Sequence, residues 1–335
     1  MKRELILGIE TSCDETSICV LENGRKILSN IISSQIPVHR KFGGVVPEIA
    51  SRQHIDAIAL VFDEAMKEAQ VHPSELDAIA VTYGPGLVGA LLVGLTFAKG
   101  LAFALDKPLI GVNHLEGHFY ANYLSSEELE PPFIALIVSG GHTALLNVHN
   151  YQSFEVLGQT VDDAAGEAFD KVARVLGLPY PGGPEVDALA KLGNKDAIKF
   201  PHAKVAGEYD FSFSGLKSSV INYLHTARQK GIDINKADVC ASFQDAVVAV
   251  LVKKSIAAMQ AYGYNKLVMA GGVSANSCLR ECLNEAVEKI KGELYYPPAV
   301  LCTDNAAMIA CRGYYLYKGG FKSSFDLNAD PSLKI

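Results

Sequence analysis

Two histidines four residues apart, in His114-Leu115-Glu116-Gly117-His118, are the sharpest chemical signal in this chain. On a helix that spacing places both imidazoles on one face, about 6 Å apart. There they can converge on a single divalent cation. Taken alone, such a pair is as a rule solvent-facing or satisfied by hydrogen bonds. The segment is also not the zincin pattern, because Leu115 stands where H-E-x-x-H requires its general-base glutamate. Far downstream, Cys302-Thr303-Asp304-Asn305-Ala306-Ala307-Met308 offers a third ligand. Asp304 is by default an N-cap. A carboxylate there also completes a His-His-Asp set that leaves coordination positions open for substrate.

Other segments carry weaker chemistry. Beyond Glu10, the turn Thr11-Ser12-Cys13-Asp14-Glu15-Thr16 holds two further carboxylates, Asp14 and Glu15. Carboxylates repel phosphate but can hold a cation or take a nucleophile's proton; a solvated turn accounts for them equally. Ser139-Gly140-Gly141-His142 lacks side chains at its centre, so its N–H groups can approach an anion, although Gly-Gly is also plain hairpin chemistry. Met269-Ala270-Gly271-Gly272-Val273-Ser274-Ala275-Asn276 reads as a strand, a double-glycine turn and a helix start. A flat ring can lie on Gly271 and Gly272 with Asn276 reaching a base or ribose edge; Ser274 as an ordinary N-cap is the competing account. Asp170 either serves a site or pairs with Lys171 or Arg174. Asp187, following Gly182-Gly183-Pro184, reads as an acid in the first turn of a helix.

These residues need a scaffold, and 335 residues exceed what one core usually holds, so two lobes are expected. Hydrophobic residues make up 49% and charged residues 20%, a globular profile. No run of 18 uninterrupted apolar residues occurs, which argues against a membrane span. The start is too short for a signal-peptide core and reads as a first strand. Seven scattered cysteines without C-x-x-C spacing point to reduced thiols and a cytoplasmic enzyme. A net charge of −7 means that any polynucleotide substrate needs a local basic strip or a helper subunit.

Hydrophobic periodicity gives strands over 5–9, 17–21 and 25–33, a helix over 47–69, a strand over 76–81 and a small-residue helix over 87–105, buried on several sides. A strand over 109–112 then delivers the chain to the His114 helix. The same order restarts at 133–138, with a return strand over 143–148, a third over 153–157 and a helix over 162–176. A Gly/Pro-rich insertion spans about 177–236. A helix over 237–262, a strand over 266–270, a helix over 274–290, a short strand over 294–296 and a helix over 304–317 complete the chain. Two such units, 1–125 and 126–335, make an α/β protein of the actin-like ATPase (ASKHA) fold: two duplicated lobes, a cleft between them and one hairpin turn from each facing it.

The motifs around His114, Ser139, Gly271 and Asp304, together with Gly8 to Thr16 and Phe211-Ser212-Phe213-Ser214-Gly215-Leu216-Lys217, resemble those of the universal tRNA threonylcarbamoyladenosine transferase family, TsaD in bacteria, once labelled O-sialoglycoprotein endopeptidases. The resemblance covers nearly the whole chain. It implies transfer of a threonylcarbamoyl group from threonylcarbamoyl-AMP to N6 of the adenosine 3′ of the anticodon, in tRNAs reading codons that begin with A. It further implies that His114, His118 and Asp304 bind one divalent metal, Fe2+ ahead of Zn2+. Ile137, Val138, Ser139, Gly140, Gly141, Asp170, Gly183, Asp187 and Asn276 would line the adenylate site, which ATP or ADP with Mg2+ could also use. Archaeal and eukaryotic relatives often place a metal-binding Tyr where this chain has Ile137, leaving three protein ligands here. Asp14 or Glu15 would assist proton removal. Implied partners are tRNA, a TsaB-like actin-fold paralogue on the first lobe and a TsaE-like P-loop ATPase, with no membrane. The alternatives are an actin-like ATPase or small-molecule kinase, and a metalloprotease.

Overall fold

Two six-residue runs, Leu5–Glu10 and Phe133–Val138, are buried at every position, as a strand covered on both faces must be. Each is the hub of a five-stranded sheet in the computed structural model, which describes residues 3–201 and 205–335. Residues 202–204, inside the expected insertion, and the first two residues lie outside the described set. The first sheet contains β1 (Leu5–Glu10), β2 (Glu15–Glu22), β3 (Lys26–Ser34), β4 (Ala78–Gly84) and β5 (Leu109–Asn113), in the order β3-β2-β1-β4-β5. The second contains β6 (Phe133–Val138), β7 (Thr143–Val148), β8 (Phe154–Gln159), β9 (Lys266–Ala270) and β10 (Glu293–Tyr295), in the order β10-β9-β6-β7-β8. In each, three strands form an antiparallel meander, and two more add in parallel on the far side of the first. This doubling is the actin-like plan.

The helices, in chain order, are α1 (Ile36–His39), α2 (Pro47–Ala69), α3 (Val88–Leu105), α4 (His114–Tyr120), α5 (Ala165–Leu176), α6 (Gly182–Ala190), α7 (Ser214–Gln229), α8 (Lys236–Tyr262), α9 (Ser277–Lys289), α10 (Ala299–Cys302) and α11 (Ala306–Lys318). The chain divides into a unit of Met1–Leu129 with Pro297–Ile335 and a unit of Glu130–Tyr296. A split at 125 would have left the C-terminal segment in the second half; it packs in the first instead. The reason is local. With α4 only seven residues long, one face of the first sheet lacks a cover, and α11 supplies it with Ala306 through Gly313 buried. Two glycines permit the approach: a Cβ on Gly8 would lie 2.3 Å from the Ala306 carbonyl oxygen, and one on Gly313 would lie 2.4 Å from the Ala80 Cβ. The tail then straps β4 and β5, with Asp330 N–H donating to Tyr83 O and Ser323 N–H to Leu109 O.

The other face of the first sheet carries α2 and α3. Small residues seat α3: Gly94 lies against Thr11 and Gly89 against Ser51, whereas Gly100 faces open space. The helix is not buried on several sides. Val88, Leu92 and Phe103 are exposed, and by length and composition alone α3 could cross a membrane.

In the second unit the 177–236 segment contains α6 and α7. Phe211 and Phe213 are fully buried, their rings stacked 6.2 Å apart. Asp162 ties the following turn down by accepting from Ser212 and Ser214 Oγ and from Phe213 N–H. The Phe211-to-Lys217 motif is thus a core anchor, completed by Lys217 bound to Asp163 at 2.6 Å.

Candidate functional site

The metal-type cluster lies wholly in the first unit. Asn113 ends β5 and caps α4, its side chain accepting from Leu115 N–H at 2.9 Å, so the first helical residue is His114. Gly117 lets α4 lie against α11, since a Cβ there would sit 2.8 Å from Ile309 Cδ1. That contact brings the residues before α11 over the imidazoles. Sequence offered Asp304 as the N-cap of this helix, but Asn305 takes the cap and accepts from Met308 N–H at 3.1 Å. Asp304 therefore points its carboxylate at the histidines: Oδ1 lies 3.4 Å from His114 Nε2 and 3.5 Å from His118 Nε2. The three donor atoms all lie within 4.8 Å of one another. Ligands held at about 2.1 Å around a metal ion stand roughly 3 to 3.5 Å apart, and the two separations from Asp304 to the imidazoles match that.

The surroundings fit as well. Glu10, the buried last residue of β1, accepts from Thr82 Oγ and from Ser12 N–H and lies 3.1 Å from His114 Nδ1. A carboxylate behind a ligating imidazole fixes the ring and raises its basicity. Burial alone would drive His114 toward its neutral form, yet Asp304 and Glu10 outweigh it and hold the pKa well above the ordinary value. Burial would likewise raise Glu10, and His114 reverses that. Two neutral imidazoles between two carboxylates carry two negative charges, which one divalent cation balances. Glu10 was the residue sequence reasoning missed; its only signal was an acid closing an apolar strand.

Asp14 and Glu15 lie on the turn beside this cluster, joined to it through Ser12 Oγ, 3.2 Å from His114 Nδ1. Asp14 is buried. Glu15 accepts from Ser34 Oγ at 2.9 Å. Burial, then the charges of Asp304 and Asp14, push the Glu15 carboxyl up to about 9. Burial similarly pushes the Cys13 thiol far up, so it is no nucleophile at neutral pH.

The second unit brings the glycine turns together. Gly271 has φ 88°, and a Cβ on it would lie 2.5 Å from the Val138 carbonyl oxygen, so only glycine suits that crossing. Gly166, at the start of α5, is packed as tightly on Ser139. Above these contacts Gly140, Gly141 and Gly272 meet nothing, leaving bare backbone. Ile137 and Val138 are fully buried strand residues, able to offer a ligand only main-chain atoms. Ser139 closes the hairpin, its N–H donating to His142 O at 2.8 Å.

The remaining residues form a string around α6. Asp170 does not take its lysine neighbour. Its Oδ1 accepts from Gly182 N–H at 2.8 Å, and burial raises its pKa despite that bond and the one from Gly183. Lys171 goes to Asp163 and Glu167 instead. Asp187 is beyond the first turn of α6, where Glu185 stands. It accepts from Ser277 Oγ at 2.9 Å. A Cβ on Gly183 would meet nothing within 4 Å. Asn276, not Ser274, caps α9, because Gly272–Ala275 winds as a separate 3-10 turn. Its Oδ1 accepts from Leu279 N–H, and its Nδ2 donates to Gln244 at 2.8 Å. Gln244 and Ser277, which hold Asn276 and Asp187, carried no sequence signal.

Known proteins agree with this picture. The family model described as "TsaD: tRNA N6-adenosine threonylcarbamoyltransferase" matches residues 26–311. A Clostridium kluyveri protein of that enzyme name is 59% identical over 332 residues, covering 98% of this chain and 97% of its own. One from Clostridium beijerinckii is 56% identical over 336 residues, covering 100% and 99%. Among solved structures, HypF from T. kodakarensis superposes with a TM-score of 0.65 at 16% identity, over 97% of this chain and 49% of that one. Full-length HypF in a phosphate- and nucleotide-bound form gives 0.62 at 18%, over 96% and 47%. This chain thus spans about half of each HypF chain, and that likeness speaks for the fold alone. The chain belongs to the TsaD family of tRNA N6-adenosine threonylcarbamoyltransferases.

Proposed function

We propose that this chain transfers the threonylcarbamoyl group of threonylcarbamoyl-AMP to N6 of the adenosine 3′ of the anticodon, in tRNAs reading codons that begin with A. The observation that carries this is the convergence of His114, His118 and Asp304, backed by Glu10, in a chain of this family. In the reaction the adenine amine forms a bond to the carbamoyl carbon, the bond from that carbon to the phosphate oxygen breaks, and AMP leaves with its electron pair.

Two imidazoles and one carboxylate with open positions are the donor set of non-haem iron sites, so Fe2+ is favoured over Zn2+. When bound, the ion supplies Lewis-acid polarisation of the oxygen on which negative charge develops. His114 is oriented for that task by Glu10, and Asp304 by the cap that Asn305 takes from it. Asp14 and Glu15, on the turn beside the cluster, are the carboxylates placed to accept a proton from the attacking amine. In the second unit the bare backbone of Gly140, Gly141 and Gly272 gives N–H groups to phosphate and a flat face to adenine, and Asp170, Gly183, Asp187 and Asn276 shape the rest of the adenylate pocket. An arylamine is a weak nucleophile, so positioning contributes much of the rate.

The partners we assign are tRNA, a TsaB-like paralogue and a TsaE-like ATPase, in the cytoplasm. The paralogue's place is the open apolar groove between α2 and α3, lined by Ile55, Ile58, Leu92, Val93, Phe97 and Leu101. With threonylcarbamoyl-AMP, tRNA and these partners, the assay is nucleoside and nucleotide analysis. AMP with threonylcarbamoyladenosine is expected. ADP with a phosphorylated metabolite would establish a kinase, and metal-dependent peptide cleavage a protease. His114→Ala with His118→Ala is expected to abolish both bound metal and transfer; full activity without metal would refute the role.

A further inference from the structure

The segment between β3 and α2 combines a rigid base with an exposed basic tip. Its base is a buried chain of hydrogen bonds. His39 and His54 are fully buried and Gln35 nearly so. His39 Nε2–H donates to Gln35 Oε1 at 3.1 Å, and Val46 N–H donates to His39 Nδ1 at 3.3 Å. His54 Nε2–H donates to Cys13 O at 3.0 Å, while Thr16 Oγ–H and the Gln35 amide donate to His54 Nδ1 at 2.7 and 3.4 Å. Each ring nitrogen of the two imidazoles thus has a hydrogen-bond partner. The same base reaches the turn beside the metal-type cluster, because Gln35 N–H donates to Asp14 O at 2.9 Å.

Between the points pinned by His39 and Val46 the chain turns outward. Gly43 N–H closes onto Arg40 O, and Gly44 N–H onto His39 O. Arg40, Lys41 and Phe42 are all exposed, Phe42 at 58%. Neither cation is paired with a carboxylate among the described residues. A pinned loop that holds out two uncompensated cations and a bare aromatic ring, in a chain of net charge −7, is a surface awaiting a ligand. Cations beside an aromatic platform are the chemistry of unpaired nucleic acid: phosphates on the charges, a base on the ring. An apolar protein partner would leave Arg40 and Lys41 unanswered.

We infer that Arg40, Lys41 and Phe42 bind the unpaired anticodon-loop nucleotides of the RNA substrate, beside the Asp14 turn. This rests on the transfer to tRNA proposed above. The test uses the full chain with its partner proteins and an anticodon stem-loop RNA. Binding is measured across a salt series for wild type, for Arg40→Ala with Lys41→Ala, and for Phe42→Ala and Phe42→Trp. The double variant is expected to flatten the slope of log K against log salt by about 1.4, two single-strand phosphate contacts at roughly 0.7 each. Phe42→Ala is expected to weaken binding about tenfold and Phe42→Trp to retain it, as loss and retention of one stacked base would. Metal content and the KM for threonylcarbamoyl-AMP stay at wild-type values, separating this from misfolding. If wild type modifies RNA but the variants keep its slope and affinity, the loop assignment falls while the transferase stands. If the variants bind RNA normally and lose a partner protein, the loop is a protein contact and the inference is overturned. If wild type modifies no RNA, the transferase reading fails first.

Discussion

The two units are built on one sheet plan and equipped in opposite ways. In each, the turn leaving the hub strand is packed against by a glycine from the loop after the fourth strand: Gly86 on Ser12 in the first, Gly271 on Val138 in the second, both with a would-be Cβ 2.5 Å from a carbonyl oxygen. The scaffold is thus repeated down to a backbone contact. What sits on it is not. The first turn runs Glu10 to Glu15 and is mostly buried side chain, with four buried histidines in the same unit. The second is Ser139-Gly140-Gly141, mostly backbone, with both glycines exposed. A duplicated fold can therefore divide labour: one copy concentrates buried charge, where we propose the cation and the acid–base work, and the other strips away side chains, where we propose that a nucleotide touches the main chain.

The largest expected effect breaks the first copy and spares the second. Asp304→Ala is expected to strip the metal and lower transfer at least about a hundredfold, since even groups behind ligating histidines are worth 10- to 100-fold. Its neighbour gives the graded case: Asn305→Ala loses a cap worth about 1 kcal/mol and frees the cap position for Asp304, so metal affinity is expected to fall less than in Asp304→Ala. Asp187→Ala, in the other unit, is expected to raise the KM for threonylcarbamoyl-AMP with metal content intact. Metal analysis beside steady-state kinetics checks all three, and metal retained by the Asp304 variant would end the division of labour.

Glu10→Gln sharpens the same contrast. The amide keeps the shape and the Ser12 contact but surrenders the negative charge behind His114. Metal affinity is expected to fall about 10- to 100-fold, measured by competition with a chelator. An unchanged affinity would mean that Glu10 only braces Thr82 and the turn.

Much of this was legible before any coordinates. The bounds of α2, β6, β7 and β9 follow from apolar periodicity alone, because each is a clean run between turn residues. The meeting of His114, His118 and Asp304 was also legible, as a helical His pair plus a distant acid. What was hidden depended on competition between neighbours. Asp304 and Asn305 are both good caps, and only the way α11 meets β2 decides between them: Ser17 Oγ accepts from Ala306 N–H and fixes where the helix starts. At α9 Ser274 read as the cap, and the extra 3-10 turn of Gly272–Ala275 hands that role to Asn276. The placement of the C-terminal helix was hidden for another reason. Nothing local says that α4 is too short to cover its sheet, and Gly8 and Gly313 reveal the crossing only once they are seen face to face.

That crossing gives a smaller, purely structural prediction. At the third position from the end of the hub strand the first unit has Gly8 under α11, and the second has Leu136 in its core. Gly8→Val is expected to cost about 1–3 kcal/mol or more from overpacking, read as a lower denaturation midpoint. Gly140→Ala, into open space, is expected to stay within about 0.5 kcal/mol. Equal costs would show that the glycines of the two copies are not used differently.

The smallest expected effect concerns pH. All the fully buried histidines among the described residues are in the first unit, whereas His142, His149 and His225 of the second are half-buried or exposed. Burial lowers the pKa of His54 below its ordinary 6.5; the Cys13 carbonyl, Glu10 and Asp14 act the other way, and His39 reinforces the lowering. An imidazole depressed in this way binds fewer protons folded than unfolded. Its stabilising contribution is therefore full above pH 6.5 and is lost as pH falls through 6.5 toward the folded value. Between about pH 7.5 and about pH 5.5, amide exchange at Gln35 and Val46, corrected for its intrinsic pH dependence, is expected to quicken several-fold while β6 and β7 stay protected. The change is expected to vanish in His54→Gln, whose amide cannot titrate. Quickening of equal size in that variant would place the sensitivity elsewhere and remove His54 as the reason the two copies respond differently to acid.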